Sequence, residues 1–260
     1  MQNNNTAIIA VTEKGICFGE KIFAEINADF FIPSKFSTEY KHTSYEKLQD
    51  AYKLLFENYK NIIAIMAQGI VTRMIVPFVK SKYSDPAVVT CDEVGRFAIS
   101  TLSGHEGGAN MLAHLVSSIT GAVPVITTAT EANRQYVVGI GCRKGASSAE
   151  IENAIFKSCE LIGISVNDIR LIASAWIKKE EKGLIAAASN LNLYLRFLPK
   201  SYYVSPNYNF KKYDAPMKYF GIPAVAEPSA VIASVNPLLV LERQVFGNVT
   251  IAIAKENLIN

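Results

Sequence analysis

The stretch Leu102-Ser103-Gly104-His105-Glu106-Gly107-Gly108-Ala109-Asn110 gathers a histidine, a carboxylate and three glycines into a few positions. Glycines at 104, 107 and 108 let backbone approach a ligand closely, and a helix beginning behind them turns its free N–H groups toward an anion. The chemistry this suggests is a carboxylate cradle. His105 would serve it as proton donor or acceptor, being the side chain whose unperturbed pKa lies near neutrality. A glycine-rich turn carrying an exposed histidine without any reaction fits the same pattern equally well.

Two other chemistries fail at this stretch. A zincin helix requires His-Glu-x-x-His, and Ala109 stands where the second histidine belongs. A nucleophile elbow requires Gly-x-Ser-x-Gly, and Thr101 precedes Ser103 by two residues. A second glycine turn, Val138-Gly139-Ile140-Gly141-Cys142-Arg143-Lys144-Gly145, is one residue off the dinucleotide-binding spacing, and no acidic residue ends a second strand about 20 residues later. An NAD-dependent enzyme would rest on that turn alone. A carboxylate-binding turn helped by Arg143 and Lys144 is the preferred reading. No P-loop occurs. Lys178 and Glu181, and Glu227 ahead of an apolar helix, read singly as solvated charges or helix-start carboxylates.

The elements that must position these residues alternate short β-branched runs with amphipathic segments, the pattern of βαβ units and a largely parallel sheet. In the first half, strands are expected over 6–11, 29–32, 61–66 and 123–127, and helices over 13–26, 45–58, 71–79 and 108–120. Runs 87–91 and 97–101 flank Asp92-Glu93-Val94-Gly95, the composition of a hairpin turn. A fresh series begins at Tyr136, with strands over 136–141, 169–174 and 193–197 and helices over 147–162 and 180–191. A Tyr-, Asn- and Pro-containing loop is expected over 201–208, and a closing hairpin pairs 238–241 with 249–254 around Gly247-Asn248. The expectation is two α/β domains with largely parallel sheets, the first Rossmann-like, over 1–133 and 136–260, with the boundary at 131–135. Were the two glycine turns to face a common cleft, a flat polycarboxylate could be gripped from both sides.

Half of the 260 residues are hydrophobic and 19% are charged, which is a globular composition. The formal charge of +3 is scattered and forms no nucleic-acid arm, so a small polyanionic ligand suits it better than DNA. Residues 1–11 lack a basic leader, and the apolar run over 61–79 is broken by Gln68, Arg73 and Pro77. These features lead us to expect a cytoplasmic protein with no membrane or nucleic-acid partner. The four cysteines, Cys17, Cys91, Cys142 and Cys159, form no CxxC pair or close Cys/His set, and no protein-bound metal is expected.

Taken together, several segments resemble the CbiG family. They are Ala67-Gln68-Gly69-Ile70-Val71-Thr72-Arg73, Asp85-Pro86-Ala87-Val88-Val89, Asp92-Glu93-Val94-Gly95-Arg96, Leu102-Ser103-Gly104-His105 with Gly107-Gly108-Ala109-Asn110, and Val125-Ile126-Thr127-Thr128-Ala129-Thr130. The second half adds Val138-Gly139-Ile140-Gly141-Cys142-Arg143 with Glu150, Lys178…Glu181…Gly183-Leu184, Gly221-Ile222-Pro223-Ala224-Val225-Ala226-Glu227 and Asn248-Val249-Thr250-Ile251-Ala252-Ile253-Ala254. Family members commonly carry a middle segment between the Thr-Thr-Ala-Thr strand and the Gly-Ile-Gly-Cys strand, and here only a few residues join them. Near the last hairpin turn, Glu242-Arg243 replaces the usual basic residue.

The resemblance implies hydrolysis of the δ-lactone of cobalt-precorrin-5A with loss of acetaldehyde, giving cobalt-precorrin-5B in cobalamin biosynthesis. Cobalt would arrive inside the corrinoid substrate, so no separate cofactor is implied. On this reading His105 is the acid/base, with Glu227 a second proton-transfer group partnered by Lys178. Gly104, Gly107, Gly108 and Asn110 would hold an oxyanion or a substrate carboxylate. Arg73, Lys82 and Arg143 would neutralise peripheral carboxylates, and Gly139 and Gly141 would also contact substrate. The alternative is a non-catalytic protein that binds or channels a corrinoid intermediate, a reading the shortened middle keeps open. A homo-oligomer is left open as well.

Overall fold

Alternating β-branched runs and amphipathic segments become two α/β units in the computed structural model, which describes residues 5–205 and 209–257. Residues 1–4, part of the stretch read as lacking a leader, and 206–208, the end of the loop expected over 201–208, lie outside the described residues. The units are Met1–Thr128 and Ala129–Asn260, so the division falls just ahead of the stretch expected to hold it. Among the described residues no helix is long and apolar enough to cross a membrane.

In the first unit the elements run β1 (Thr6–Ala10), α1 (Glu13–Phe23), β2 (Asp29–Pro33), β3 (Thr43–Tyr45), α2 (Leu48–Asn58), β4 (Asn61–Ile65), α3 (Gln68–Ile75), β5 (Ala87–Cys91), β6 (Phe97–Leu102), α4 (Ala109–Thr120) and β7 (Val123–Val125). The seven strands line up as β3-β2-β1-β4-β5-β6-β7, a Rossmann-like order whose direction of addition reverses between β1 and β4. Because helices cover both faces, the central strands are apolar on both sides. Ile8, Ile63 and Val89 pack with Ile16 and Ile22 of α1 and Ala113 and Val116 of α4. Ala7, Ile9, Ile62 and Val88 pack with Tyr52 and Leu55 of α2 and Val71 and Ile75 of α3.

The expected hairpin forms between β5 and β6, which pair antiparallel. Gly95 takes φ +71, and Asp92 accepts the N–H groups of Arg96 and Phe97 at 2.7 and 2.9 Å. One consequence bears on the site. Since β7 pairs parallel to β6, both run against the other strands, and Leu102 lies opposite Val88 near the amino end of β5.

The second unit contains α5 (Ala129–Ala132), β8 (Tyr136–Cys142), α6 (Ser148–Ile162), β9 (Ile169–Ala175), α7 (Lys182–Asn190), β10 (Tyr194–Leu198), α8 (Lys200–Tyr203), α9 (Asp214–Phe220), α10 (Ala226–Ile232), β11 (Pro237–Phe246) and β12 (Val249–Glu256). Its sheet is ordered β10-β9-β8-β12-β11, with β8, β9 and β10 parallel and β12 antiparallel to both its neighbours. Helix α6 starts at a capping box in which Ser147 and Glu150 satisfy each other's backbone N–H groups. Apolar residues of α6 and α7 cover one face of the sheet. Ala226 and Ala230 of α10 pack on Ala252 and Ala254 of β12.

Four elements were not expected. β3 is a three-residue edge strand with no apolar alternation, and α5, α8 and α9 are each seven residues or shorter. β11 is longer than expected because irregularities at Leu239/Leu241 and Leu241/Gln244 break its alternation.

Candidate functional site

The turn 103–108 follows β6 as expected, and most of its features are used inside the protein. Ser103 adopts φ +56, and its carbonyl accepts the N–H groups of Gly107 at 3.1 Å and Ala109 at 3.2 Å. Asn110 donates its N–H to the Gly104 carbonyl at 2.9 Å. The amide of Gly107 is therefore not available to an oxyanion, contrary to the reading above. Among the described residues the N–H groups of Gly108 and Met111 have no partner, and these are what the start of α4 offers an anion. Gly108 needs its φ of +91 and has open space around it, whereas a Cβ on Gly107 would meet Ser103 Cβ at 2.4 Å. His105 is exposed on this turn, and its ring has no hydrogen-bond partner among the described residues.

Asn110 is not a ligand-facing group. Fully buried, its Oδ1 accepts Ser100 Oγ at 2.8 Å and its Nδ2 donates to Thr128 Oγ1 at 3.0 Å, which ties the end of β6 to the residues after β7. Gly104 exists for the same packing, since a Cβ there would meet Asn110 Oδ1 and Thr128 Cγ2, each at 2.9 Å. Lys82 reaches the turn but is paired with Glu106, Nζ to Oε1 2.6 Å. That hydrogen bond raises the lysine's pKa and, with the lysine's charge, lowers that of Glu106. Arg73 is exposed on α3, its contact being a 3.4 Å approach to the Gly69 carbonyl of its own helix. The turn also stands at the amino end of the parallel strands, because β6 is reversed. The carboxyl-end crevice between β1 and β4 lies at the opposite edge of the sheet and is lined by the starts of α1 and α3.

In the second unit, two glycines expected to bind ligand serve packing instead. A Cβ on Gly139 would meet the Ala226 carbonyl oxygen at 1.9 Å and Ala230 N at 2.5 Å, so α10 lies directly on β8 there. A Cβ on Gly141 would meet Thr250 Oγ1 at 2.6 Å, and Thr250 donates to the Gly141 carbonyl at 3.0 Å. Neither leaves room for a carboxylate. Arg143 is exposed, and its backbone N–H donates to the Asn248 carbonyl at 2.9 Å.

The carboxyl ends of β8 and β9 nonetheless carry a charged cluster. Lys178 Nζ donates to Glu181 Oε1 at 3.1 Å, both side chains being largely buried, and Glu181 Oε2 accepts the Gly145 N–H at 3.1 Å. Burial works to raise the pKa of Glu181, but the Gly145 N–H and the charges of Lys178 and Lys144 outweigh it and hold the carboxyl below its ordinary value. The thiol of Cys142 is pushed up by burial and partly relieved by Lys178. The cluster can present an oriented ammonium at the strand ends where open α/β sheets bind ligands. Glu227 is not its partner. The Glu227 carboxylate sits in the first turn of α10 and accepts the Arg243 backbone N–H at 3.0 Å.

Glu181 carries more of this cluster than sequence reasoning gave it, because an i,i+3 acid near a lysine usually marks an exposed helix face. Buried charges missed outright include Glu131 on α5, Arg196 on β10 and Glu256 on β12. For Arg196 a signal existed, since a lone cation in Leu193-Tyr194-Leu195-Arg196-Phe197-Leu198 is foreign to an apolar strand. Among the described residues no group of three or more His, Cys, Asp or Glu side chains could hold a metal ion.

Comparison with known proteins agrees with this two-part organisation. Residues 50–131 match the family model described as Cobalamin synthesis G N-terminal, and residues 136–254 match Cobalamin synthesis G C-terminus. A cobalt-precorrin-5A hydrolase from Priestia megaterium is 25% identical, covering 97% of this chain and 95% of that protein. That alignment runs over 363 residues against the 260 here, so the relative is the longer protein and parts of it have no counterpart in this chain. The cobalt-precorrin-5A hydrolase of Salmonella typhimurium is 38% identical over 127 residues, 49% of this chain and 36% of that protein. Among solved structures, cobalamin biosynthesis protein chiG from Agrobacterium tumefaciens is 31% identical over 47% of this chain and 98% of its own, with a TM-score of 0.38. With the N-terminal model matching in one half and the C-terminal model in the other, the chain belongs to the CbiG family of cobalamin-synthesis proteins.

Proposed function

We propose that this chain is a hydrolase of cobalamin biosynthesis that opens the δ-lactone of cobalt-precorrin-5A and releases acetaldehyde, giving cobalt-precorrin-5B. The observation that carries the reading is the alignment of 97% of the chain with a relative bearing the name cobalt-precorrin-5A hydrolase. Lactone opening requires water to lose a proton as it adds to the carbonyl, a donor for the oxyanion that forms, and a proton for the departing ring oxygen. Acetaldehyde then leaves as the freed alcohol gives up its proton, the adjacent carbon–carbon bond breaks, and the macrocycle carbon keeps the electron pair and takes up a proton. In the first unit, His105 is exposed and uncommitted, which suits it to take the proton from water and return it to the leaving oxygen. The N–H groups of Gly108 and Met111 are the donors available to the oxyanion or to a neighbouring substrate carboxylate. Within the second unit taken by itself, Lys178 is held by Glu181 and offers a fixed positive charge suited to a carboxylate. Cobalt belongs to the substrate in this scheme.

The extra length of the Priestia relative over this chain favours one other reading, a protein that binds the corrinoid without reacting. Incubation with cobalt-precorrin-5A separates the two. Stoichiometric or greater acetaldehyde supports hydrolysis, whereas tight binding of the intermediate with no acetaldehyde refutes it.

A further inference from the structure

Arg196 is 5% exposed on β10, the edge strand of the second sheet. Strand alternation places it on the face shared by Tyr194 and Leu198, which pack with Ala173, Ala175 and Tyr203. Among the described residues no carboxylate pairs with it, and its Nε is closed off from solvent without a hydrogen-bond partner. Neighbouring groups are already committed. Glu256 is held by Arg170 through two bonds of 3.0 and 2.6 Å, and its Oε1 also accepts the Val235 N–H at 2.8 Å. The Tyr203 hydroxyl shares its hydrogen with Ser229 Oγ at 2.6 Å. Burial, with the charge of Arg170 adding to it, brings the Arg196 pKa down to about 10, so the guanidinium still carries its charge at neutral pH.

A buried cation with no counter-charge is costly, and proteins keep one where an anion arrives from elsewhere. The planar fork of a guanidinium matches the two oxygens of a carboxylate. We propose that Arg196 is the anchor of a subsite for a single carboxylate group, on the face of β10 that it shares with Tyr194 and Leu198. The site does not depend on the lactone reading. Its carboxylate could be one arm of a polycarboxylate substrate or a free small acid, and the two sources share this chemistry.

Trp176, the chain's single tryptophan, reports on the site because its ring lies 5.8 Å from that of Tyr203. Sodium acetate titrated into the full chain, against sodium chloride at equal ionic strength, should change Trp176 fluorescence saturably and raise the melting temperature. The midpoint should be on the order of millimolar, as a single charge-assisted pair allows. Arg196→Met should abolish the response while melting no lower than wild type in acetate-free buffer. Arg196→Lys keeps the charge, loses the fork and should weaken acetate at least about tenfold, which keeps the test open if the Met variant does not fold. Equal effects of acetate and chloride on wild type, or an undiminished acetate response in both variants, would overturn the proposal. In the turnover assay, acetate that raises the apparent KM assigns the site to a substrate arm, and saturating acetate without effect assigns it to a free acid. Absence of turnover would sink the lactone reading and leave the acetate titration standing.

Discussion

Replacing Glu181 by alanine and, separately, by glutamine dissects the charged cluster at the end of β8. The side chains of Lys178 and Glu181 are 12% and 14% exposed, so their pairing escapes most solvent screening. Glu181→Ala strands the Lys178 ammonium and removes the acceptor of the Gly145 N–H. Leaving one member of a buried pair costs about 3–5 kcal/mol, and the remaining exposure here lowers the expectation to about 2–4 kcal/mol. Glu181→Gln keeps an oxygen for Gly145 and a dipole for Lys178, so about 1–2 kcal/mol is expected. Urea unfolding followed by Trp176 fluorescence isolates the effect, because the only tryptophan lies two residues before Lys178 in the second unit. The pH dependence has a definite sign. The folded-state carboxyl of Glu181 lies below the ordinary 4.5, so its contribution is complete above that value and disappears as pH falls through the folded pKa. The gap between wild type and Glu181→Gln should therefore be full at pH 7 and close in acid. Two variants within about 0.5 kcal/mol of wild type at pH 7 would show that the pair behaves as an ordinary surface contact.

Three further outcomes follow from the same geometry. His105→Ala should lower acetaldehyde release by about 10²-fold and leave the melting temperature unchanged, as a partnerless exposed side chain predicts; an unchanged rate removes His105 from the chemistry. Gly139→Ala should prevent soluble folding or cost more than about 3 kcal/mol by circular dichroism melts, since its Cβ collides with the backbone of α10. Gly145→Ala has open space and a φ of +80, and should cost only about 1–2 kcal/mol; equal effects at both positions would refute the packing role of Gly139. Glu131 has both carboxylate oxygens buried without a partner, and burial raises its pKa to about 7 despite Arg170 and Arg134. The proton it retains stabilises the fold fully below the ordinary 4.5, and that stabilisation is lost as pH rises through 7. Glu131→Gln should thus match wild type in acid and exceed it by up to about 3 kcal/mol at pH 8, as urea unfolding at the two pH values would register.

The architecture was legible where pattern and burial coincide. Ile62-Ile63-Ala64-Ile65 and Val137-Val138 are buried on both faces because helices cover both sides of each sheet, and continuous apolar runs announce that arrangement. The helix expected over 147–162 starts at the capping box of Ser147 and Glu150, and the turn read at Asp92 to Gly95 is the hairpin. The short helices α8 and α9 escaped because a helix of one or two turns shows little periodicity. The stops were nonetheless present for α9, with Asp214 and Pro216 in its first turn and Gly221 left-handed at its end. The reversal of β6 was implicit in the hairpin reading, but its consequence was not drawn: a strand entered through a tight turn delivers its carboxyl end to the opposite edge of the sheet.

The candidate site was less legible than the fold, and glycine is the reason. A glycine reports that something approaches the backbone closely or that φ is positive, but the sequence does not say what approaches. At Gly139 and Gly183 it is the backbone of α10 and of the turn at Ala146, and at Gly104 and Gly107 it is Asn110, Thr128 and Ser103. Within the two turns, Gly108 and Gly145 combine a positive φ with empty surroundings and leave the backbone open there. The glycine pattern thus marks two tight turns, and at most of their glycines the group that approaches is the protein's own. The ionisable residues invert the same lesson. Lys178 was read through Glu227 and is bound by Glu181, because partners are chosen by where loops meet at a strand end, and nothing in linear spacing separates an acid three residues away from one on another helix. Arg196 is the sharper case, since the burial of its Nε without a hydrogen-bond partner exists only in three dimensions, and it is that observation, rather than any motif, on which the proposed carboxylate subsite rests.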